Sequence, residues 1–420
     1  MHIVFCKWDR PMLRILLARG AAVHLVLDDY DWALGPDPEL LARAASVHRV
    51  GHFDSIDELS AVAVDLLLSG APVEKVAGFT EFSQFGAGHL AHLLGLDSPS
   101  PGSAAATRDK RLMKLRAAEA GWRHARFRSL PTAGPAETDP QALVAELGLP
   151  LVVKPVTGMG TLSTAKAETA DELRTLLDGR RALAPELGSR QLLVEEFVAG
   201  REYHVDAVWR DGEPWFLRIS RYLEPRLSLA GAGRRNGAVI VPREDDPQLY
   251  AWVEERHRAL NKVLGLGSGV THLEMFRDPE GGEPVFSEIA SRPAGAFAPE
   301  ALSAHLGVDF REVWAEELTG GSGRSLAFGP PPHRYIGWLN LAPPTAGVLT
   351  ELPDEEALRA DPAILDWEFV HRTGDRVDPD HPSAWCVLLV VGAATAAGFE
   401  SAVERIERQY RCAAVREEER

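Results

Sequence analysis

Two short apolar runs rich in β-branched residues, His2–Cys6 and Val23–Leu27, flank a segment, Pro11–Arg19, whose apolar residues recur at helical spacing. That pattern predicts a strand–helix–strand opening, the start of a parallel α/β layer. It continues through Val47–Val50, Ile56–Leu68, Val73–Phe79 and a helix near Gly86–Leu94, until Asp97-Ser-Pro-Ser-Pro-Gly-Ser103 interrupts it. Beyond the break, Thr107–Ala120 reads as one helix ending at Gly121. Leu151–Val153 reads as a buried strand, followed by Gly158-Met-Gly160 and a short strand near Ser163–Ala167. Asp171–Leu177 is helical, and Leu192–Phe197 and Tyr203–Trp209 are strands separated by Ala199-Gly200. A helix at Gln248–Leu264, strands at Gly269–Arg277 and Pro284–Ala290, and a helical stretch at Leu302–Leu318 follow. Gly320–Ser325 and Gly329–Pro332 form a second linker. The remainder, Arg334–Glu419, alternates short strands with a final helix near Phe399–Tyr410. The chain therefore divides into three regions, 1–100, 101–325 and 326–420.

Composition narrows the function classes. The net charge of −16 argues against a non-specific nucleic-acid binder. Three scattered cysteines exclude a disulfide framework and a four-thiolate zinc site, and they fit a reducing cytoplasm. No apolar run reaches the roughly 20 residues of a membrane helix, so no membrane partner is expected. The opening MHIVFCKWDR reads as no signal peptide. Lysine occurs at only seven positions (7, 75, 110, 114, 154, 166 and 262) against 38 arginines, so each lysine invites a question.

Several familiar motifs are absent. The opening lacks G-x-G-x-x-G, no P-loop or H-E-x-x-H occurs, and Gly267-Ser-Gly269 has the wrong spacing for a nucleophile elbow. His89 and His92 share a helix face without a visible third metal ligand.

One ordered constellation remains. Asp109-Lys110 opens a helix, and Lys154 ends an apolar strand just before Thr157-Gly158-Met159-Gly160-Thr161. An ammonium at a strand end can reach phosphate oxygens, and glycines let backbone N–H groups cradle an anion. Glu195-Glu196-Phe197-Val198-Ala199-Gly200-Arg201-Glu202 joins two strands. Its backbone at Glu196–Val198 suits an adenine edge, and Glu202 can accept from ribose hydroxyls. Glu274 and Glu288 sit on consecutive strands and offer hard oxygens for Mg²⁺. If those strands are antiparallel neighbours, both carboxylates share one face. Arg292, four residues on, adds a cation for developing negative charge.

These segments resemble the ATP-grasp superfamily over about Leu94 to Leu318. The resemblance rests on Thr107-Arg-Asp-Lys110, Val152-Val-Lys154-Pro155 with its glycine loop, Glu195–Glu202, and Ser287-Glu-Ile-Ala-Ser-Arg-Pro-Ala-Gly295. Gly269-Val-Thr-His272-Leu-Glu274 and Thr80-Glu81-Phe82 are most similar to the L-amino acid ligase branch of the carboxylate–amine ligases. Gly337-Trp-Leu through Pro344-Thr-Ala-Gly347 is similar to their accessory domain. The resemblance implies an α/β protein, α+β in its ATP-grasp part. Residues 1–100 would form a pre-ATP-grasp domain. Residues 101–325 would form the ATP-grasp domain, with a lid lobe at about 125–200 and a central lobe at about 201–325. A small α+β domain would occupy 326–420.

The resemblance also implies a reaction: ATP phosphorylates a carboxylate, and an amine displaces phosphate from the acyl phosphate to form an amide. Lys110 and Lys154 would hold phosphates under a lid made by Gly158, Met159, Gly160 and Thr161. Glu195, Glu196, Phe197, Val198 and Glu202 would meet adenosine. Glu274 and Glu288 would bind Mg²⁺, two ions in the family's pattern, with Mn²⁺ as an alternative. Arg292 would stabilise the acyl phosphate, with Lys154 as its catalytic companion. Glu81, His272, Arg292 and Gly295 would line the substrate site, and a homodimer fits the family. The arginine-rich stretch Arg218–Arg235, around Gly231-Ala-Gly233, reads either as a carboxylate-recognising loop or as a solvated one. Two departures stand out: Ala290, where many relatives place a metal-binding Asn, and Ala294 and Ala296, where amino acid ligases more often place Gly-Gly runs. Two rivals remain open. One is a purine-type ligase or formyl-phosphate transferase of the same fold, although Ala294 replaces the His usual after R-P in that branch. The other is a nucleotide-binding module without turnover.

Overall fold

The computed structural model describes residues 1–130, 139–179, 191–229, 235–323, 326–379, 381 and 385–416. The expected α/β opening is present as four parallel strands in the order Ser46–Arg49, Ala22–Leu27, His2–Cys6 and Val73–Gly78. The two middle strands are nearly continuous apolar runs because both of their faces are covered. Helix Arg10–Ala18 begins where the Asp9 side chain accepts from the Met12 N–H at 2.7 Å. The strand order reverses between His2–Cys6 and Val73–Gly78, which opens a crevice at their carboxyl ends. Glu81 lies in the turn directly after Val73–Gly78.

The single helix expected at Thr107–Ala120 is two helices, Pro101–Ala106 and Lys110–Glu119. Ser100 caps the first, inside the stretch read as a linker, with Pro101 at its first position. Asp109 caps the second by accepting from the Arg111 N–H at 2.9 Å, which restarts the helix at Lys110. The stretch Leu302–Leu318 likewise divides into Ala298–Leu306 and Phe310–Leu318. Gly307 ends the first in the left-handed region (φ 69°), and Asp309 caps the second.

A small antiparallel sheet runs in the order Phe127–Ser129, Leu192–Glu196, Leu151–Pro155 and Ala165–Ala167. Leu151, Val153 and Val194 pack with Leu143, Leu147, Leu173 and Leu177 of helices Pro140–Leu147 and Ala170–Asp178. Alternation therefore turns Lys154 and Glu195 to the opposite face. They are near neighbours there, because Lys154 pairs with Leu193, two residues from Glu195.

Among the described residues the largest sheet has nine strands. Its order is Ile364–Phe369, Val387–Ala393, Tyr335–Leu341, Asn236–Ile240, Glu213–Tyr222, Arg201–Arg210, Gly269–Arg277, Val285–Ala290 and Arg123–His124. Three strands from the last region extend the same sheet as the middle region, so the linker near 325 does not separate two sheets. On one face Tyr203, Val205, Ala207, Trp209, Leu273, Met275 and Phe286 pack with helix Pro247–Leu264. The other face carries the alternate residues Glu202, His204, Asp206, His272, Glu274 and Glu288. A bulge makes this possible. Glu274 pairs with Glu288, but Met275 pairs with Phe286, leaving Ser287 unmatched. In an unbroken strand Phe286 and Glu288 would share a face; the bulge buries one and presents the other.

Among the described residues no helix is long and apolar enough to cross a membrane.

Candidate active site

Glu274 and Glu288 face one another across antiparallel neighbours, as the spacing of their strands allows. The Tyr222 hydroxyl donates to Glu274 Oε1 at 2.7 Å, and His272 Nε2 lies 3.5 Å from the same oxygen. Burial alone would raise the Glu274 carboxyl, but His272, Tyr222 and Arg226 hold it down at about 2. Lys110 Nζ sits 2.9 Å from Glu288 Oε2 and donates to the Gly158 carbonyl at 2.8 Å. Its backbone N–H donates to Val156 O at 2.9 Å, so the glycine loop is tied to the helix that carries Lys110.

Lys154 Nζ is 2.6 Å from Glu195 Oε1, and Lys114 Nζ is 3.0 Å from Glu195 Oε2. Burial would push the Glu195 carboxyl up, yet the two ammonium groups bring it to about 2. Glu202 shows the opposite balance: burial first, then the nearby Glu274 and Glu288, push its carboxyl up to about 8. It is partly relieved by the Arg226 N–H, which donates to Glu202 Oε2 at 2.6 Å.

Glu81 reaches this cleft from the crevice of the four-stranded parallel sheet, just after strand Val73–Gly78. Arg292 Nε donates to Glu81 Oε2 at 2.7 Å, and Arg108 Nη1 pairs with Glu81 Oε1. Arg108 also donates to the Thr157 carbonyl of the glycine loop at 2.7 Å. The Ser291 N–H and hydroxyl both donate to Gln84 Oε1, at 2.8 and 2.9 Å, pinning the turn before Arg292 to the first domain.

Behind Glu274, the Asp206 carboxylate accepts from His204 Nδ1 at 2.7 Å and from His272 Nδ1 at 2.8 Å. These three buried residues are the one cluster of histidine and acidic ligands close enough to suggest a further metal site among the described residues. The short imidazole–carboxylate contacts instead describe hydrogen bonds between a buried acid and two rings. The acid's charge, opposed by burial, raises His272 to about 9.

The structure thus brings together Glu81, Lys110, Lys154, Gly158, Glu195, Glu202, His272, Glu274, Glu288 and Arg292. Other positions lie further out. Gly160 is exposed, Met159 and Thr161 are half-buried, and Gly295 is exposed with open space around it. The Glu196 N–H already donates to Arg126 O at 3.0 Å, and its carboxylate pairs with Arg126 at 2.6 Å. Half-buried Val198 follows the strand, and the Phe197 ring lies 4.0 Å below the Lys166 ammonium.

The arginine-rich stretch is not one loop. Arg218 and Arg221 belong to strand Glu213–Tyr222, and Arg221 faces Glu400 at 3.6 Å. Arg235 pairs with Glu404 and Glu407 of helix Ala396–Gln409, at 3.3 and 3.1 Å. Those two arginines therefore brace the C-terminal helix, and among the described arginines of the stretch Arg226 joins the cleft through Glu202. Gly231–Gly233 and Arg234 lie outside the described residues.

Sequence reasoning missed Arg108, Lys114, Tyr222, His204 and Asp206 as site residues. The alternation of Glu202, His204 and Asp206 with Tyr203, Val205 and Ala207 was the signal for the last two. The rarity of lysine was the signal for Lys114.

A family model for the ATP-grasp domain matches residues 147–300. The L-arginine-specific L-amino acid ligase of Bacillus subtilis is 25% identical over 350 residues, covering 81% of this chain and 80% of that protein. A D-alanine–D-alanine ligase of Chlorobaculum parvum is 28% identical over 230 residues, covering 50% of this chain and 58% of that protein. Among solved structures, the L-amino acid ligase from Bacillus licheniformis superposes with a TM-score of 0.79 at 15% identity, over 99% of this chain and 98% of that one. Phosphoribosylglycinamide synthetase from Anaerococcus prevotii gives a TM-score of 0.67 at 15% identity, over 99% of both chains. At those identities the structural likeness establishes the fold.

Proposed function

We propose that this chain, whose residues 147–300 match the ATP-grasp domain, is an ATP-dependent ligase joining the carboxylate of one amino acid to the amine of a second amino acid or related molecule. The observation that carries this reading is the convergence of Lys110, Lys154, Glu274, Glu288 and Arg292, from one helix, three strands and the turn after the last, on one polar cleft. In this reading ATP phosphorylates the substrate carboxylate, giving an acyl phosphate and ADP. The amine attacks the acyl carbon, and collapse of the tetrahedral intermediate forms the C–N bond and expels phosphate.

The donor set fits a hard divalent cation: two facing carboxylates, whose nearby charge adds to burial in raising the Glu202 carboxyl. Mg²⁺ held by Glu274 and Glu288 would neutralise phosphate oxygens during transfer. Two ions follow the family's pattern, with the second one ligand short at Ala290. Lys110 and Lys154 bind phosphate oxygens, and Glu202 binds the ribose. The glycine loop, anchored through Val156, Thr157 and Gly158, covers the phosphates and excludes water from the acyl phosphate. Arg292 is held by Glu81 through Nε and stabilises the oxyanion. His272 has one nitrogen on Asp206 and the other toward Glu274, which supports a role in orienting Glu274.

Product analysis by mass spectrometry, with pooled amino acids, ATP and Mg²⁺, tests the proposal. Amide product with ADP and phosphate, dependent on both an acid and an amine, is expected. Release of AMP and pyrophosphate would overturn it. Turnover of purine ribotides but no amino acid would move the substrate class.

A further inference from the structure

Helix Lys110–Glu119 contributes more than Lys110 to the cleft. Lys114 lies one turn further along and so projects from the same face. Its side chain is 1% exposed, and a buried ammonium is costly unless a counter-charge meets it. The counter-charge is Glu195 Oε2 at 3.0 Å, while the other oxygen of that carboxylate meets Lys154 at 2.6 Å. Two cations thus share one anion, and Lys114, Glu195 and Lys154 together carry one net positive charge. Without Lys114, Glu195 would cancel Lys154 in a cleft that already holds Glu202, Glu274 and Glu288. Glu195 would also lose the partner that holds it from the side away from Lys154.

We propose that Lys114 is a positioning residue. By engaging Glu195 it keeps the Lys154 ammonium uncancelled and therefore able to attract a nucleotide phosphate. This rests on the reading of the cleft as an ATP site. Lys114 acts through Glu195 and does not contact the ligand.

Equilibrium binding of MgATP and MgADP to the full chain tests the inference, with thermal melting of each variant to verify folding. A unit charge acting across about 8 Å at an effective dielectric of about 20 corresponds to a factor of tens in affinity. Lys114→Met should therefore weaken binding at least about tenfold, and Lys114→Arg, which keeps the charge, should recover part of the loss. The decisive variant is Lys114→Met with Glu195→Gln. It leaves Lys154 as the single net charge and should bind at least about threefold more tightly than Lys114→Met alone. Glu195→Gln alone should bind more tightly than wild type, and it provides the test if Lys114→Met does not fold. A purely structural lysine would make the double variant worse than either single change.

Unchanged binding in Lys114→Met, no recovery in the double variant, or no gain in Glu195→Gln would overturn the inference. Wild-type protein that binds MgATP but forms no amide would sink the ligase reading and leave this inference standing.

Discussion

Replacing Glu81 with Gln keeps the side chain's shape and removes the one charge that Arg108 and Arg292 share. The side chains of Glu81, Arg108 and Arg292 are 10, 6 and 15% exposed, so the change leaves two guanidinium groups together with little water to screen them. Breaking a buried pair from one side costs about 3–5 kcal/mol. A second route gives a similar figure. Burial would raise the Glu81 carboxyl, but Arg108, Arg292 and Lys110 outweigh it and bring the group from 4.5 to about 2. That displacement corresponds to about 3 kcal/mol. Because the folded-state value is depressed, this stabilisation is complete above pH 4.5 and is lost as the pH falls toward about 2. Urea unfolding of wild type and Glu81→Gln at pH 7, and across pH 3–6, measures both statements. The variant should lose about 3 kcal/mol at neutral pH and show a flatter acid limb. Its kcat should fall as well, because Gln offers one acceptor oxygen where Arg108 and Arg292 each use one, so the pair that holds Arg292 is weakened. An unfolding free energy within about 0.5 kcal/mol of wild type at pH 7 would refute the argument, since surface substitutions alone produce changes of that size.

Lys154→Arg retains the charge, but it places a larger, planar fork against Glu195 in a buried site. Overpacking of about 1–3 kcal/mol and a changed donor geometry should lower kcat/KM for ATP by about 10–100-fold. Coupled detection of ADP reads this, and wild-type turnover would count against Lys154 as the phosphate ligand. Glu288→Gln halves the facing carboxylate pair and should shift Mg²⁺ activation to at least tenfold higher concentration, about 1.4 kcal/mol of binding; an unchanged Mg²⁺ titration would remove Glu288 from the metal site. Phe286→Ala empties a core position that is 1% exposed and should cost about 3–5 kcal/mol in urea unfolding. It should also weaken Mg²⁺ activation, because the bulge that presents Glu288 is anchored by that ring; a variant with native Mg²⁺ dependence would separate the bulge from the site.

Much of the site was legible because its signals are local. Lys154 ends an apolar strand, and Glu274 and Glu288 interrupt two others, so the order of motifs along the chain carried the chemistry. Strand Gly269–Arg277 has the bounds that the sequence predicts. The errors have physical causes of another kind. Thr107–Ala120 and Leu302–Leu318 keep helical periodicity across their breaks; the cap at Asp109 divides the first, and Gly307 with the cap at Asp309 divides the second. Arg218 and Arg221 were read as loop residues because two arginines in the run Leu217–Tyr222 disguise a strand. What local pattern could not supply was pairing across the chain. Arg108 meets Glu81 27 residues away, Arg235 meets Glu407 172 residues away, and the C-terminal strands join a sheet begun before them.

Arg108 shows what those distant pairings achieve. One nitrogen of its guanidinium holds Glu81, which in turn holds Arg292, while another holds the Thr157 carbonyl at the root of the glycine loop. A planar fork with fixed donor directions can bridge two such acceptors, which a point-like ammonium does less well. The loop proposed to cover the phosphates and the arginine proposed to stabilise the acyl phosphate are therefore joined through a carboxylate of the first domain. Lys110 adds a parallel connection, joining Gly158 of the same loop to Glu288. Movement of the loop must disturb at least one of these contacts or carry its partner along. If nucleotide binds under the loop and substrate beside Arg292, as proposed, Arg108 and Glu81 are the direct physical connection between the two. The sparing use of lysine then has a structural counterpart: three of the seven lysines, 110, 114 and 154, gather at the end of the cleft proposed to take the phosphates.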